Sequence, residues 1–140
     1  MLFLKENELD VETYLQLRAA VNWVSLDPIQ AEIALDRSLY IVTVYDEDKA
    51  VGMGRLIGDG AVISYIQDLI VVPEYQGKKI GSKIIDRLIS YADELRMPGT
   101  VMMLDLMCAK GREQFYEKHG FIARPTDTLG PGMIQYLKDK

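Results

Sequence analysis

The stretch Val71-Val72-Pro73-Glu74-Tyr75-Gln76-Gly77-Lys78-Lys79-Ile80-Gly81-Ser82-Lys83-Ile84-Ile85 decides the fold of this chain. An apolar strand leads into a proline-marked turn, then into a short glycine-containing loop, and then into an amphipathic helix. In that order, several backbone N–H groups of the loop and the first helical turn lack partners and point at one spot. The segment is therefore predicted to bind an anion, and we interpret it as a pyrophosphate site.

Three lysines at the start of this helix support the interpretation: Lys78, Lys79 and Lys83. The helix dipole disfavours each cation there by about 0.3–1 kcal/mol, and a bound polyanion would reverse that penalty. A solvated helix face is the usual explanation of a charge run. The adjacent glycine loop is what favours a binding site here.

The composition indicates one compact domain over residues 1–140, with 49% apolar and 26% charged residues. A net charge of −5 argues against a nucleic-acid partner. No apolar run is long enough for a signal peptide or a membrane span, so a cytoplasmic location is expected. The single Cys108 excludes an internal disulfide, and the single His119 makes a metal site improbable.

The first half of the chain predicts one short strand, two helices and an antiparallel meander. Asp10 is the expected N-cap of the first helix, and Asp27-Pro28 marks the start of the second. The expected strands are 2–4, 39–45, 50–57 and 61–72, and the expected helices are 11–22 and 28–35. One face of the first helix carries Val11, Tyr14, Leu15, Arg18 and Ala19.

The second half predicts a long amphipathic helix over 79–96 and a buried strand over 101–107 that runs parallel to the preceding one. A short helix over 111–118 should end at Gly120, and strands 121–123 and 133–137 should close the sheet. The predicted fold class is α/β (α+β), with a mixed, mostly antiparallel sheet of about six to seven strands and helices on both faces.

This ordering resembles the GNAT superfamily of N-acetyltransferases, in particular its small bacterial single-domain members, over essentially the whole chain. Gln76 to Gly81 matches the family pattern Gln/Arg-x-x-Gly-x-Gly/Ala, and Phe115 to Phe121 is similar to its second signature, Phe-Tyr-x-x-x-Gly-Phe. Lys79 replaces the first glycine of the pattern. An asparagine that often follows the fifth strand is absent, and Cys108 to Gly111 stands in its place.

The resemblance implies acetyl-CoA as cofactor, no metal, and transfer of the acetyl group to a primary amine of a small molecule or a peptide within a ternary complex. It also implies a possible homodimer. Main-chain groups of Leu69, Ile70 and Val71 would pair with the pantetheine arm. The pyrophosphate would lie on the loop and helix start, at Gln76, Gly77, Lys78, Lys79, Ile80, Gly81 and Ser82.

Tyr116 matches the tyrosine that commonly protonates the departing thiolate in this family, and a phenol with a pKa of about 10 keeps its proton at neutral pH. Asp68, beside the strand expected to hold the thioester, is the candidate base, and water without a dedicated base is the alternative that many family members use. Glu113 and Asp105 are alternatives, and each of the three carboxylates also suits a structural role. Trp23 is a candidate lining residue of the acceptor site or a core residue.

Two other functions fit the sequence less well. The first is a non-catalytic acyl-CoA-binding or sensor module of the same fold, against which the presence of Tyr116 argues. The second is a nucleotide kinase, but the spacing between Gly77 and Gly81 is one residue short of the Walker loop, and Ser82 precedes the lysine. The dinucleotide pattern Gly-x-Gly-x-x-Gly is absent as well.

Overall fold

A computed structural model describes all residues, 1–140. The chain divides into two compact units, Met1–Leu106 and Met107–Lys140. The strands of the first unit are β1 Leu2–Glu6, β2 Tyr40–Asp46, β3 Lys49–Gly58, β4 Ile63–Val71 and β5 Met103–Leu106. Its helices are α1 Val11–Ala20, α2 Pro28–Asp36 and α3 Ile80–Leu95, and a 3-10 turn spans Pro73–Tyr75. The second unit contains α4, Glu113–Glu117.

The five strands form one sheet in the order β1-β2-β3-β4-β5. The pairs β1–β2, β2–β3 and β3–β4 are antiparallel, and β4–β5 is parallel. The mostly antiparallel sheet and the parallel crossover through α3 are therefore confirmed. Short hairpin turns permit the first arrangement, whereas the second needs a connection as long as a helix.

Helices cover both faces of the sheet, also as predicted. Asp10 and Asp27 cap α1 and α2 through bonds from the amides of Thr13 and Ile29, each at 2.8 Å. The apolar stripe of α3 is buried: Ile80, Ile84, Ile85, Leu88 and Ala92. None of the helices has the length and apolar character needed to cross a membrane.

Gly54 on β3 allows α3 to approach the sheet closely. A Cβ at this position would lie 2.5 Å from Ile84 Cγ2 and 2.8 Å from Leu88 Cδ1. Both side chains belong to the buried stripe of α3, so neither can move away without disturbing the core. The close contact fixes the height of α3 above β3 and β4, and hence the position of its N-terminus.

Two sequence predictions about the sheet are wrong. The sheet has five strands rather than six to seven, because residues 121–123 and 133–137 form no strand. Both segments are short and lie beside Pro125 and Pro131, which cannot donate to a ladder, and an isolated strand pair of that size is marginal. β5 was expected to be buried, but it is an edge strand on which Met103 is 50% exposed.

Candidate functional site

The loop between β4 and α3 holds its backbone in two left-handed conformations. After the turn at Pro73–Tyr75, Gln76 is extended, Gly77 has φ +81° and Lys79 has φ +66°. Glycine adopts this φ readily, and a Cβ on Gly77 would meet nothing within 4 Å. For a lysine the same conformation costs about 1–2 kcal/mol. Lys79 thus keeps a glycine-like backbone where the family pattern has glycine.

Five consecutive amides of this segment donate no hydrogen bond within the chain: Gly77, Lys78, Lys79, Ile80 and Gly81. The Lys83 amide does have an acceptor, since it donates to the Lys79 carbonyl at 3.2 Å. No side chain caps the start of α3. The N-terminus of a 16-residue helix therefore offers free N–H groups and the positive end of its dipole to an anion. We call these five amides the anion cradle.

Positive charge beside the anion cradle comes from three exposed lysines. Lys78, Lys79 and Lys83 take part in no ion pair. Arg87 lies further along α3 and is used elsewhere, since its Nε and Nη2 donate to Glu6 at 3.0 and 2.8 Å. The field at the helix start is thus that of three unpaired ammonium groups, a setting that favours a polyanion.

Tyr75 fastens the loop to the sheet. Its hydroxyl donates to Asp46, at the end of β2, over 2.5 Å. This bond raises the pKa of Tyr75 and lowers the pKa of Asp46. Lys78 Nζ lies 4.8 Å from the centre of the Tyr75 ring, within range of a cation–π contact. The tyrosine therefore holds both the backbone of the loop and one of its cations.

β4 has a free backbone edge beyond the end of β5. Ile66 pairs with Leu106, the last residue of β5, whereas β4 continues to Val71. At the same point the register of β4 with β3 shifts by one residue and leaves Gln67 unpaired, which is a β-bulge. Since a bulge bends the strand that carries it, the bulge accompanies the separation of β4 from β5.

Leu69 and Val71 direct their peptide groups to this free edge. The Val72 amide donates to the Val51 carbonyl of β3 at 2.9 Å. Because peptide groups alternate in direction along an antiparallel strand, Ile70 also faces β3, and its two neighbours face away from it. Three residues were predicted to pair with the pantetheine arm through their backbones. Of these, Leu69 and Val71 direct their peptide groups to the free edge of β4, and Ile70 does not.

The side chain of Gln76 forms a hydrogen bond with one of the peptide groups at this free edge. Its Nε2 donates to the Val71 carbonyl at 2.9 Å, so the loop is tied back onto the strand that precedes it. An extended ligand at this edge would find the N–H and C=O of Leu69 and the N–H of Val71 without partners. The side-chain amide of Gln76 thus positions the loop, and its role in binding a ligand stays a prediction.

A buried ion cluster lies beside β4, on the face that α1 covers. Asp68 is 1% exposed, and its Oδ2 accepts hydrogen bonds from Tyr14 Oη at 2.6 Å and Arg55 Nε at 2.7 Å. Arg18 Nη1 lies 3.6 Å from Oδ1. Burial, and then the charge of Asp68, raise the pKa of Tyr14, so its hydroxyl stays a donor. These contacts tie α1 to β3 and β4, and the role of Asp68 as a base stays a prediction.

Replacement of Asp68 by asparagine is expected to lower the free energy of unfolding by about 3–5 kcal/mol, because it leaves the buried Arg55 and the largely buried Arg18 without their carboxylate. Chemical denaturation measures this change. Asp36→Asn, at an exposed position of α2, is the matched control, with an expected change within about 0.5 kcal/mol. A stable Asp68→Asn protein with lost turnover would instead assign the residue to the chemistry.

In the second unit, Tyr116 lies on α4 within an aromatic cluster. Its ring meets Phe115 and Phe121 edge-on, with centroids 5.1 and 5.9 Å apart. Gly120 follows with φ +93°, the left-handed turn that the sequence predicts after this helix. Burial, and secondarily the charge of Cys108, raise the pKa of Tyr116. The phenol therefore keeps its proton throughout the neutral range.

Glu113, an alternative base in the sequence, is bound to its own helix start. Its Oε1 accepts from the Gly111 amide at 2.8 Å and lies 3.7 Å from Cys108 Sγ. The backbone amides around it lower the pKa of Glu113. A carboxylate used in this way is a capping group, which favours its structural interpretation.

Arg18 and Arg55 are the residues of this region that the sequence did not identify as partners of Asp68. Both are far from it along the chain, and neither belongs to a motif. One signal was present: Arg18 lies one helical turn after Tyr14 on the face of α1 that was expected to pack inward. A charge on such a face needs a buried partner.

Comparison with known proteins gives a consistent result. A family model described as an acetyltransferase (GNAT) domain matches residues 36–123, more than half of the chain. An uncharacterized N-acetyltransferase, ycf52, of Pyropia yezoensis is 29% identical over 119 residues, which cover 82% of this chain. The match covers 66% of the length of that relative.

Two solved structures share the fold over nearly all of the chain. A protein of unknown function from methicillin-resistant Staphylococcus aureus, described as a probable acetyltransferase, is 31% identical, with a TM-score of 0.84 over 97% of this chain and 100% of its own. A GNAT-family acetyltransferase from Streptococcus pneumoniae is 30% identical, with a TM-score of 0.79 over 99% of this chain and 100% of its own.

Proposed function

The chain belongs to the GNAT acetyltransferase family, and from that premise we propose that it transfers an acetyl group from acetyl-CoA to a primary amine of a small molecule or a peptide. The proposal takes residues 1–140 as one catalytic domain, with direct attack of the amine in a ternary complex. The observation that carries it is the anion cradle, five unpaired amides at the start of α3 with three unpaired lysines beside them.

The residues present fit the cofactor at two places. The anion cradle, from Gly77 to Gly81, offers N–H donors for a diphosphate. The free edge of β4, at Leu69 and Val71, offers the donors and the acceptor with which an extended pantetheine arm would pair as an added strand. Acetyl-CoA, when bound, supplies the acetyl group as a thioester. The protein supplies the alignment of the two reactants, which by itself is a large source of rate.

Two proton transfers accompany the reaction. An alkylamine with a pKa of about 10.4 costs roughly 4–5 kcal/mol to deprotonate at pH 7, so a base or a water chain is required. Asp68 is our candidate for that base. Tyr116 is our candidate for the acid that protonates the departing thiolate, because its phenol, whose pKa is raised by burial, keeps its proton at neutral pH.

A non-catalytic acyl-CoA sensor of the same fold is the alternative. Incubation of the pure protein with acetyl-CoA and a panel of amines and peptides, with free thiol as the readout, separates the two. Thiol release that depends on an amine supports the enzyme. Tight CoA binding without thiol release from any acceptor would favour the sensor.

A further inference from the structure

The ion cluster around Asp68 has more positive than negative charge. Arg55 and Arg18 have side chains that are 8% and 13% exposed, and the one carboxylate between them is 1% exposed. Tyr14, the remaining ionisable partner of Asp68, is neutral in the physiological range, since burial raises its pKa. One positive charge is therefore held in a poorly solvated place without a counter-charge, which is costly for a protein.

The excess charge lies on Arg18 rather than on Arg55. Arg55 is the better bonded of the two, since its Nε donates to Asp68 and its Nη1 lies 3.3 Å from both the Ala34 carbonyl and Ser38 Oγ. Arg18 has one hydrogen bond, from Nη2 to the Val24 carbonyl at 2.8 Å, and its buried Nε has no acceptor. Its distance of 3.6 Å from Asp68 is that of an ion pair without a hydrogen bond.

One buried and one partly exposed aromatic ring lie near the Arg18 guanidinium. The ring of Trp23 lies 5.2 Å from it and is 38% exposed, and the ring of Tyr14 lies 5.7 Å from it. Val24, whose carbonyl holds Arg18, is 81% exposed. An arginine whose guanidinium lies within cation–π range of two aromatic rings is well suited to bind a carboxylate, because these contacts help to fix its planar fork in advance.

This cluster adjoins the free edge of β4 along the chain. Asp68 immediately precedes Leu69, the first residue whose peptide groups face that edge. We propose that Arg18 binds a carboxylate on the acceptor, so that the substrates of this enzyme are amines that also carry a carboxylate, such as amino acids, rather than polyamines. The inference rests on the proposed acetyl transfer, whose thioester would lie along the same edge.

The excess charge also suits the chemistry of the amine. A nearby cation disfavours the protonated form of an amine and thereby reduces the cost of generating the nucleophile. The same charge repels acceptors with several ammonium groups. A carboxylate on the acceptor supplies the missing counter-charge for Arg18. The positive charge of the cluster lowers the pKa of the amine of the same molecule.

Trp23 is the single tryptophan of the chain and lies against Arg18, so intrinsic fluorescence reports on this site. The full chain, with and without CoA, would be titrated with leucine and leucinamide, and with 6-aminohexanoate and 6-aminohexanamide. Each acid should produce a saturable change with at least about tenfold tighter binding than its amide, the difference expected for loss of a charge-assisted contact. Equal binding of acid and amide would overturn the inference.

Arg18→Met should abolish the preference for the acids, whereas Arg37→Met, at an exposed position of the same unit, should retain it. If Arg18→Met does not fold, the comparison of acids with amides on the unaltered protein still tests whether the site prefers a carboxylate. Thiol release from acetyl-CoA, measured with the same four compounds, separates this inference from the proposed function. Thiol release without a preference for acids would contradict only the carboxylate site at Arg18. Acid-selective binding without thiol release would contradict only the proposed acetyl transfer.

Discussion

Gly81→Glu should weaken CoA binding by at least about a hundredfold, because the new carboxylate faces the diphosphate across the anion cradle. Two like charges about 4 Å apart near a protein surface repel by roughly 4 kcal/mol. The substitution also adds bulk at one of the five free amides of the anion cradle. Titration calorimetry with CoA measures the loss.

The helix itself should tolerate this change. Gly81 has ordinary helical backbone angles, and glutamate is a better helix former than glycine by about 0.5–1 kcal/mol. Ser90→Glu adds the same charge on the exposed side of α3, more than two turns away, and should leave CoA affinity within about twofold. Undiminished CoA affinity in a folded Gly81→Glu protein would refute the position of the site.

Tyr116→Phe should lower kcat by about a hundredfold or more, the usual contribution of a positioned general acid. The affinity for CoA should be nearly unchanged, since the phenol is not part of the anion cradle. Because the pKa of Tyr116 is raised, its acidic form persists beyond the ordinary phenol range, and the unaltered enzyme should lose no activity from this group below about pH 10.

The control for this substitution is Tyr136→Phe, which removes the hydroxyl of an exposed tyrosine in the same unit. Steady-state kinetics over a range of pH, with free thiol as the readout, should show normal rates for the control. A normal rate for Tyr116→Phe at every pH would show that Tyr116 is not the general acid and would favour water as the proton donor.

Much of the fold was predictable because local signals agreed with one another. Asp10 and Asp27 cap the helices that follow them, and the 3.6-residue apolar period of α3 matches its buried face. The missing strands near the C-terminus show the limit of such signals. Residues 121–123 and 133–137 have the composition of strands, but strand formation depends on partners that the local sequence does not specify.

The site was predictable only in part, for a related reason. The anion cradle is contiguous in sequence, so its order of strand, glycine loop and helix could be recognised. The bulge at Gln67 has no sequence signature, and it coincides with the point where β4 leaves β5. The partners of Asp68 are 13 to 54 residues away, and only the tertiary structure brings them together.

Amide-resolved NMR of the uniformly 15N-labelled protein tests the central claim most directly, with CoA compared against pantetheine, which lacks the diphosphate. CoA should produce saturable shifts at the amides of Gly77, Lys78, Lys79, Ile80 and Gly81, whereas pantetheine should affect only Leu69 and Val71. If CoA binds while those five amides stay unperturbed, the diphosphate is held elsewhere, and the anion cradle is not the cofactor site.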